Sequence, residues 1–237
     1  MSERIEELEK KLNKLETDTN NLLDSHKYLF NTLFIDFELK PKGVLLNTQI
    51  LCQELLNFVD NICKKYDINY WLEYGTLLGA KRHGGFVPWD DDVDIAMMRA
   101  DHDKFTSVIH DEIKSNNLED EITALRYLVN DQRSILFTQI KFSPNYVKGL
   151  YAGLDIFTYD YIKEFDENTE DLYYKEVSRY RQKLHDGIDP KIALEELYEV
   201  LNLSYDVQDH IIPSVDGGRT RGGLGKWHIY PLKRFFH

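Results

Sequence analysis

Trp89-Asp90-Asp91-Asp92-Val93-Asp94-Ile95-Ala96-Met97-Met98 joins four carboxylates to an apolar run without a break. The run reads as a β-strand. Alternate side chains of a strand share a face, so Asp92 and Asp94 point one way and Val93 points into the core. Such a cluster is costly unless something positive is held there. Hard cations take oxygen ligands, and Mg²⁺ commonly binds through one or two carboxylates while substrate phosphates complete its shell. Asp92 and Asp94 are therefore candidate ligands for Mg²⁺, or Mn²⁺, and metal-assisted chemistry on a phosphate is the first expectation. Asp90 and Asp91 stand at the loop end, where water solvates them, and form a polar shoulder.

A two-carboxylate cation site usually wants a third partner. Ala152-Gly153-Leu154-Asp155-Ile156-Phe157 places Asp155 between apolar neighbours in a second strand-like run, an inconvenient charge that a bound cation would compensate. Asp160, five residues on in the same run, faces the opposite side of an unbroken strand and reads as structural.

The residues before the acidic run supply complementary groups. Tyr70-Trp71-Leu72-Glu73-Tyr74 reads as a short strand, and Gly75-Thr76-Leu77-Leu78-Gly79-Ala80 as a tight turn opening a short helix. At such a junction Gly75 lets backbone amides approach a phosphate, Thr76 follows it, and the helix N-terminus adds free N–H donors and a favourable dipole. Arg82 can contact a phosphate bidentately, whereas Lys81 reads as balancing the aspartates. His83 is a candidate for positioning substrate or serving as a base, and Trp89 for walling the site or stacking on a base.

Composition bounds the remaining choices. A chain of 237 residues suits one domain with an extension. Its 29 Lys and Arg stand against 41 Asp and Glu, a formal net charge of -12, which disfavours nucleic acid as a partner. Cys52 and Cys63, placed on unlike faces of one helix-like stretch, suggest neither a disulfide framework nor a zinc site. No run has the length of an apolar membrane span, and no signal peptide is recognisable, so a cytoplasmic location is expected.

Ile5, Leu8, Leu12, Leu15, Thr19, Leu22, His26, Leu29 and Leu33 fall on alternating three- and four-residue steps. This a/d spacing predicts a coiled coil, with homo-oligomer formation through residues 1–35, or else an amphipathic helix folded on its own domain. Lys40-Pro41-Lys42-Gly43 breaks the pattern and separates a helical extension over 1–40 from a domain over 44–237. Within that domain residues 44–66 read as a helix and 101–115 as a helix starting at an Asp cap. Residues 122–129, 134–142 and 153–161 read as extended, and 167–185 and 190–203 as helices, the second started by Asp189-Pro190. The glycine-rich run 216–225 reads as a solvated surface loop. The fold class is α+β, a mixed β-sheet core with flanking helices preceded by an N-terminal coiled-coil helix.

Tyr74-Gly75-Thr76-Leu77-Leu78-Gly79-Ala80, Arg82-His83 and Phe86-Val87-Pro88-Trp89-Asp90-Asp91-Asp92-Val93-Asp94-Ile95 together resemble the LicD family, related to the fukutins. With the preceding helix and the Leu154-Asp155-Ile156 run, the resemblance covers residues 44–235. It implies a nucleotidyltransferase-like fold and transfer of a phospho-substituent, such as phosphocholine or a phosphoalditol, from a CDP-linked donor to a cell-surface glycan. A lipid-linked acceptor would bring the protein to the inner face of the membrane. Asp92 and Asp94 match the paired metal ligands of that fold, Asp155 its third acidic position as ligand or base, and Gly75-Thr76 its phosphate turn. The family's usual segment beyond Tyr230-Pro231-Leu232, with its Tyr-Gly-Asp-like motif, is not recognisable before His237. That reads as a truncated form or a different acceptor side. Two other classes share these features: a nucleotidyltransferase that adds NMP to a small phosphate or sugar, and a non-catalytic coiled-coil assembly protein with a relic site.

Overall fold

The computed structural model describes residues 4, 10–12, 14–22, 25, 40–126, 128–129, 134–135, 137–144, 146, 151–214 and 230–231. The chain divides into two compact units, Met1–Pro41 and Lys42–His237. In the first, residues 10–12 and 14–22 are helical, and Leu12, Leu15 and Leu22 are exposed. The Thr19 hydroxyl bonds back to the Leu15 carbonyl one turn earlier. Ile5, Leu8, His26, Leu29 and Leu33 of the expected heptad seam lie outside the described residues, as does the glycine-rich run.

The second unit is a mixed sheet with helices. Helix α1 (Val44–Lys65) leads through β1 (Trp71–Leu72) to α2 (Tyr74–His83), β2 (Asp92–Met98) and α3 (Arg99–Ser115). Strands β3 (Ile122–Leu125), β4 (Leu128–Val129), β5 (Ser134–Ile135), β6 (Thr138–Phe142) and β7 (Ala152–Ile162) follow. Helices α4 (Thr169–His185) and α5 (Pro190–Val200) precede β8 (Leu203–Ser204), β9 (His210–Pro213) and β10 (Tyr230–Pro231). The main path of the sheet is β1-β2-β7-β6-β3, with β2 and β7 parallel and the other neighbours on that path antiparallel. Strands β8 and β9 pair with the far end of β7, and β10 with β9; β4 and β5 make a separate ribbon.

Burial follows strand alternation. Val93, Ile95 and Met97 of β2, with Leu154 and Ile156 of β7, pack beneath α1 and α3, where Leu55, Val59, Ile62, Phe105 and Ile109 close the main core. On the other face Ala96, Met98, Phe157, Tyr159 and Ile211 form a smaller cluster edged by Trp71 and Phe137. Tyr173, Val177 and Tyr180 of α4 meet Ala193, Leu194 and Leu197 of α5 in a third cluster. Helix α5 starts as its sequence predicts, with Pro190 in the first turn and the Asp189 carboxylate accepting the Lys191 N–H.

Two local expectations are corrected. Helix α3 begins at Arg99, two residues before the expected Asp cap, and Asp101 lies in its first turn, where its charge complements the helix dipole. Cys52 and Cys63 share the buried face of α1 instead of lying on unlike faces, because 11 residues is about three helical turns. Burial pushes the Cys63 thiol up to about 12 and the Cys52 thiol up to about 11, so both are protonated and unreactive at neutral pH.

Arg99, at the β2–α3 junction, is almost fully buried, and so is Asp160. The Arg99 Nε and Nη2 donate to the two Asp160 carboxylate oxygens at 2.9 and 3.2 Å, and Nη2 also reaches the Ser214 hydroxyl. The Tyr198 hydroxyl donates to Asp160 from α5. Removing one partner of a satisfied buried pair leaves an uncompensated charge in low dielectric, so Asp160→Asn is expected to destabilise the fold by about 3 kcal/mol. Urea denaturation of the variant beside wild type checks this; a loss within about 0.5 kcal/mol, the range of an ordinary surface substitution, contradicts it.

Candidate functional site

The parallel register of β2 and β7 sets Asp94 opposite Asp155, and Asp92 opposite Gly153. All three carboxylates stand on the sheet face away from α1 and α3, and one oxygen from each falls within 4.8 Å of the others. Asp94 and Asp155 are buried and Asp92 is half-buried. Three acidic oxygens so close, two of them desolvated, form a hard donor set of the kind that binds Mg²⁺ or Mn²⁺. The chemistry of the residues present therefore fits a divalent cation.

Supporting side chains aim these ligands. Gln139 of β6 pairs in register with Asp155 and donates from Nε2 to its Oδ1 at 2.6 Å. The Thr76 hydroxyl accepts the Asp94 N–H at 2.8 Å, and the Asp94 carbonyl accepts the Glu73 N–H at 3.0 Å. Gln49 of α1 donates to the carbonyls of Val87 and Asp90 at 3.3 and 2.8 Å, holding the acidic loop from behind. Thr76 belonged to the expected phosphate turn; here its oxygen anchors the backbone of a candidate ligand.

The turn itself differs in one detail from the sequence reading. Helix α2 starts at Tyr74, so Gly75 and Thr76 lie in its first turn with Glu73 at the cap position. Tyr74 takes a left-handed backbone, φ 42°, a strained conformation for a non-glycine residue, while its ring packs edge-on against Phe157 at 5.0 Å. A Cβ on Gly75 would stand 2.5 Å from an Asp90 carboxylate oxygen, so glycine is what lets Asp90 approach the helix start. Burial, then the neighbouring Asp92 charge, raises the Asp90 carboxyl above its usual range.

The other expected site residues are not gathered so tightly. Arg82 and His83 are exposed in the last turn of α2, form no ion pair with a described residue, and do not contact the aspartates. Helix rise puts Arg82 about 9 Å along the axis from Thr76. Trp89 is 63% exposed beside Asp90. Glu73, by contrast, was not singled out by sequence. It lies across β1–β2 beside Asp94, where Trp71 Nε1–H donates to it at 2.7 Å and the Tyr159 hydroxyl at 3.3 Å. Burial raises its carboxyl despite those two donors.

A family model described as the nucleotidyltransferase domain of LicD, FKTN and FKRP matches residues 67–188, just over half of the chain. The chain belongs to the LicD family. It is 32% identical over 120 residues to the lipopolysaccharide cholinephosphotransferase LicD of Haemophilus influenzae, covering 50% of this chain and 45% of that protein. Identity is 34% over 84 residues to an uncharacterized Rickettsia typhi protein, covering 35% of this chain and 27% of that one. With the ribitol 5-phosphate transferase FKRP of Mus musculus it is 43% over 49 residues, 21% of this chain and 10% of that one. The chain thus spans less than half the length of these relatives. The matched family segment contains Asp92, Asp94 and Asp155, and the fold is a mixed sheet with flanking helices, in keeping with that nucleotidyltransferase domain.

Two outcomes follow from the charge balance. Without metal, Asp155→Asn removes a like-charge contact and is expected to raise Tm by about 2 °C, while abolishing stabilisation by Mg²⁺; thermal scans with and without Mg²⁺ check both. Because burial raises the Glu73 carboxyl, its favourable contribution is fully present below the unfolded-state value of about 4.3 and is lost as pH rises through the higher folded value. Wild type should therefore lose stability relative to Glu73→Gln as pH rises from about 4 towards 7. Metal-free urea titrations at a series of pH values test this, and a difference independent of pH contradicts it.

Proposed function

We propose that this chain is a metal-dependent phosphotransferase that moves a phospho-substituent, phosphocholine or a phosphoalditol, from a CDP-linked donor to a hydroxyl of a cell-surface glycan. The observation that carries the reading is the convergence of Asp92, Asp94 and Asp155 beside the N-terminus of α2. The names of two relatives, a cholinephosphotransferase and a ribitol 5-phosphate transferase, support the class of transferred group.

Asp92, Asp94 and Asp155 would hold Mg²⁺ or Mn²⁺, which when bound supplies neutralising charge for the donor diphosphate and its leaving CMP. The amides in the first turn of α2 offer further donors to an anionic ligand, and Gly75 leaves the backbone open there. The Gln139 amide donates to one Asp155 oxygen and so orients the carboxylate, which suits a ligand role for this residue. Trp89 offers an exposed aromatic face for the cytosine, and Arg82 and His83 a basic edge for phosphate or acceptor. The acceptor hydroxyl oxygen bonds to the transferred phosphorus as the P–O bond to CMP breaks; CMP leaves as the anion and the hydroxyl proton passes to a site carboxylate or to water.

A cytoplasmic protein, peripheral at the inner face of the membrane when the acceptor is lipid-linked, belongs to the same proposal. Among the described residues no helix is long and apolar enough to cross a membrane. The exposed Leu12, Leu15 and Leu22 support self-association through residues 1–35.

Asp92→Asn is expected to lower donor turnover by about 10³-fold with an unchanged circular dichroism spectrum. Release of CMP from CDP-choline, CDP-ribitol and CDP-glycerol, with and without Mg²⁺, provides the assay. Nucleotide retained on the product would indicate NMP transfer instead, and metal-independent failure to bind any of the three donors would favour an assembly role.

A further inference from the structure

The sheet face that carries the carboxylates also carries a cation outside the set expected from sequence. Pairing across β2, β7 and β6 places Asp94, Asp155 and Gln139 in one row and Asp92, Gly153 and Lys141 in the next. Residues directly paired across neighbouring strands project to the same face, so Lys141 shares the face of Asp92 and Asp155. Its Cα lies about 10 Å from that of Asp92, two strand spacings away. A lysine stem reaches roughly 6 Å, long enough for its ammonium to extend over the intervening position.

That intervening position is Gly153. A Cβ there would lie 2.8 Å from the Tyr151 hydroxyl, so the glycine leaves a notch into which Tyr151 folds. Lys141 Nζ sits 5.9 Å from the centre of the Tyr151 ring. The ammonium therefore rests over an aromatic face and makes no ion pair with a described carboxylate, although three stand on the same face. Among the described residues this half-buried lysine meets the ring and no carboxylate, which leaves its charge available for an incoming anion.

Charge balance gives that availability a use. Three carboxylates and a diphosphate together carry more formal negative charge than one divalent cation balances, so a cation on the same face suits the diphosphate. Arg82 and His83 are displaced along α2, whereas Lys141 lies in the row of Asp92, next to that of Asp94 and Asp155.

We propose that Lys141, with Tyr151 and the notch at Gly153, forms an anion subsite that receives the diphosphate of the metal-bound ligand. The ligand's identity as a CDP-linked donor rests on the phosphotransfer reading; the subsite itself recognises pyrophosphate. Lys141 contributes a point charge to a phosphate oxygen, and Tyr151 holds the lysine stem in place and offers its hydroxyl.

The test is calorimetric binding of inorganic pyrophosphate to the full chain in Mg²⁺, beside thermal scans that follow Mg²⁺ alone. Lys141→Met is expected to weaken pyrophosphate binding about tenfold or more, with the Mg²⁺-induced Tm shift retained. Lys141→Arg should recover most of the affinity, and Tyr151→Ala should lose more than Tyr151→Phe, which keeps the ring. Pyrophosphate binding by Lys141→Met equal to wild type overturns the proposal. So does absence of pyrophosphate binding in wild type, or loss of the Mg²⁺ shift in a folded Lys141→Met protein. If CDP-choline, CDP-ribitol and CDP-glycerol all fail as donors while Lys141-dependent pyrophosphate binding persists, the phosphotransfer reading falls and the subsite stands.

Discussion

The parallel pairing of β2 with β7 is the constraint on which the rest of this molecule depends. It is what turns aspartates some sixty positions apart in the chain into neighbours, by setting Asp94 against Asp155. Slipping the register by one residue would bring Asp94 beside Leu154 or Ile156, whose side chains belong to the opposite face. Resistance to such a slip comes from both faces at once. The apolar side chains of both strands are committed to the core under α1 and α3 on one side, and to the Ala96–Phe157–Tyr159 cluster on the other. At the far end the last ladder pair is Met98 with Tyr159, and the next residues along each strand are Arg99 and Asp160. Their buried ion pair continues the pairing where β2 gives way to a helix. A charge pair there is best understood as a lock on register, because buried pairs of this kind add little net stability over apolar packing yet tolerate no substitute partner.

The same register concentrates negative charge. Asp90, Asp92, Asp94 and Asp155 gather where water is partly excluded, and the raised Asp90 carboxyl is one sign of the resulting strain. The fold offsets part of it with oriented dipoles and hydrogen bonds. Helix α2 presents its positive end, Gln139 donates to Asp155, and Gln49 fixes the loop through its carbonyls without touching the acids. None of these is a full counter-charge. A site so arranged suits the proposed divalent cation, whose charge would make it receptive to phosphate. The exposed apolar side chains nearby, Tyr74, Leu77 and Trp89, adjoin this electrostatic centre and give the site a mixed polar and apolar border.

The candidate ligands stand out in the sequence because each is an anomaly at its own position. Asp92 and Asp94 interrupt a strand with period two, and Asp155 stands between Leu154 and Ile156 in a second strand. The proline start of α5 and the α+β layout were equally local signals. The residues that support the ligands are not anomalous where they occur. Gln139 and Lys141 are ordinary polar residues in an alternating strand, and their role exists only once β6 has paired with β7. Gln49 looks like the polar flank of an amphipathic helix until the loop at Asp90 returns over it. Arg99 and Glu73 likewise gain meaning from partners in other elements, Asp160 and Tyr159. The placement of Cys52 and Cys63 was legible but misread, since helical periodicity alone puts both on one face.

The division between the matched family segment and the rest of the chain is not a division between site and support. Residues 67–188 hold the three carboxylates, the α2 start, Gln139 and Lys141. Yet the register lock inside that segment is completed from outside it. Tyr198 of α5 donates to Asp160, and Ser214, just beyond β9, accepts from Arg99. Strand β9 also pairs with Tyr159–Ile162, overlapping the last pair of the β2–β7 ladder and continuing past it. Since the separation of Asp94 from Asp155 is set by that ladder, α5 and β9 bear on the candidate metal site through β7 without contributing a carboxylate to the three.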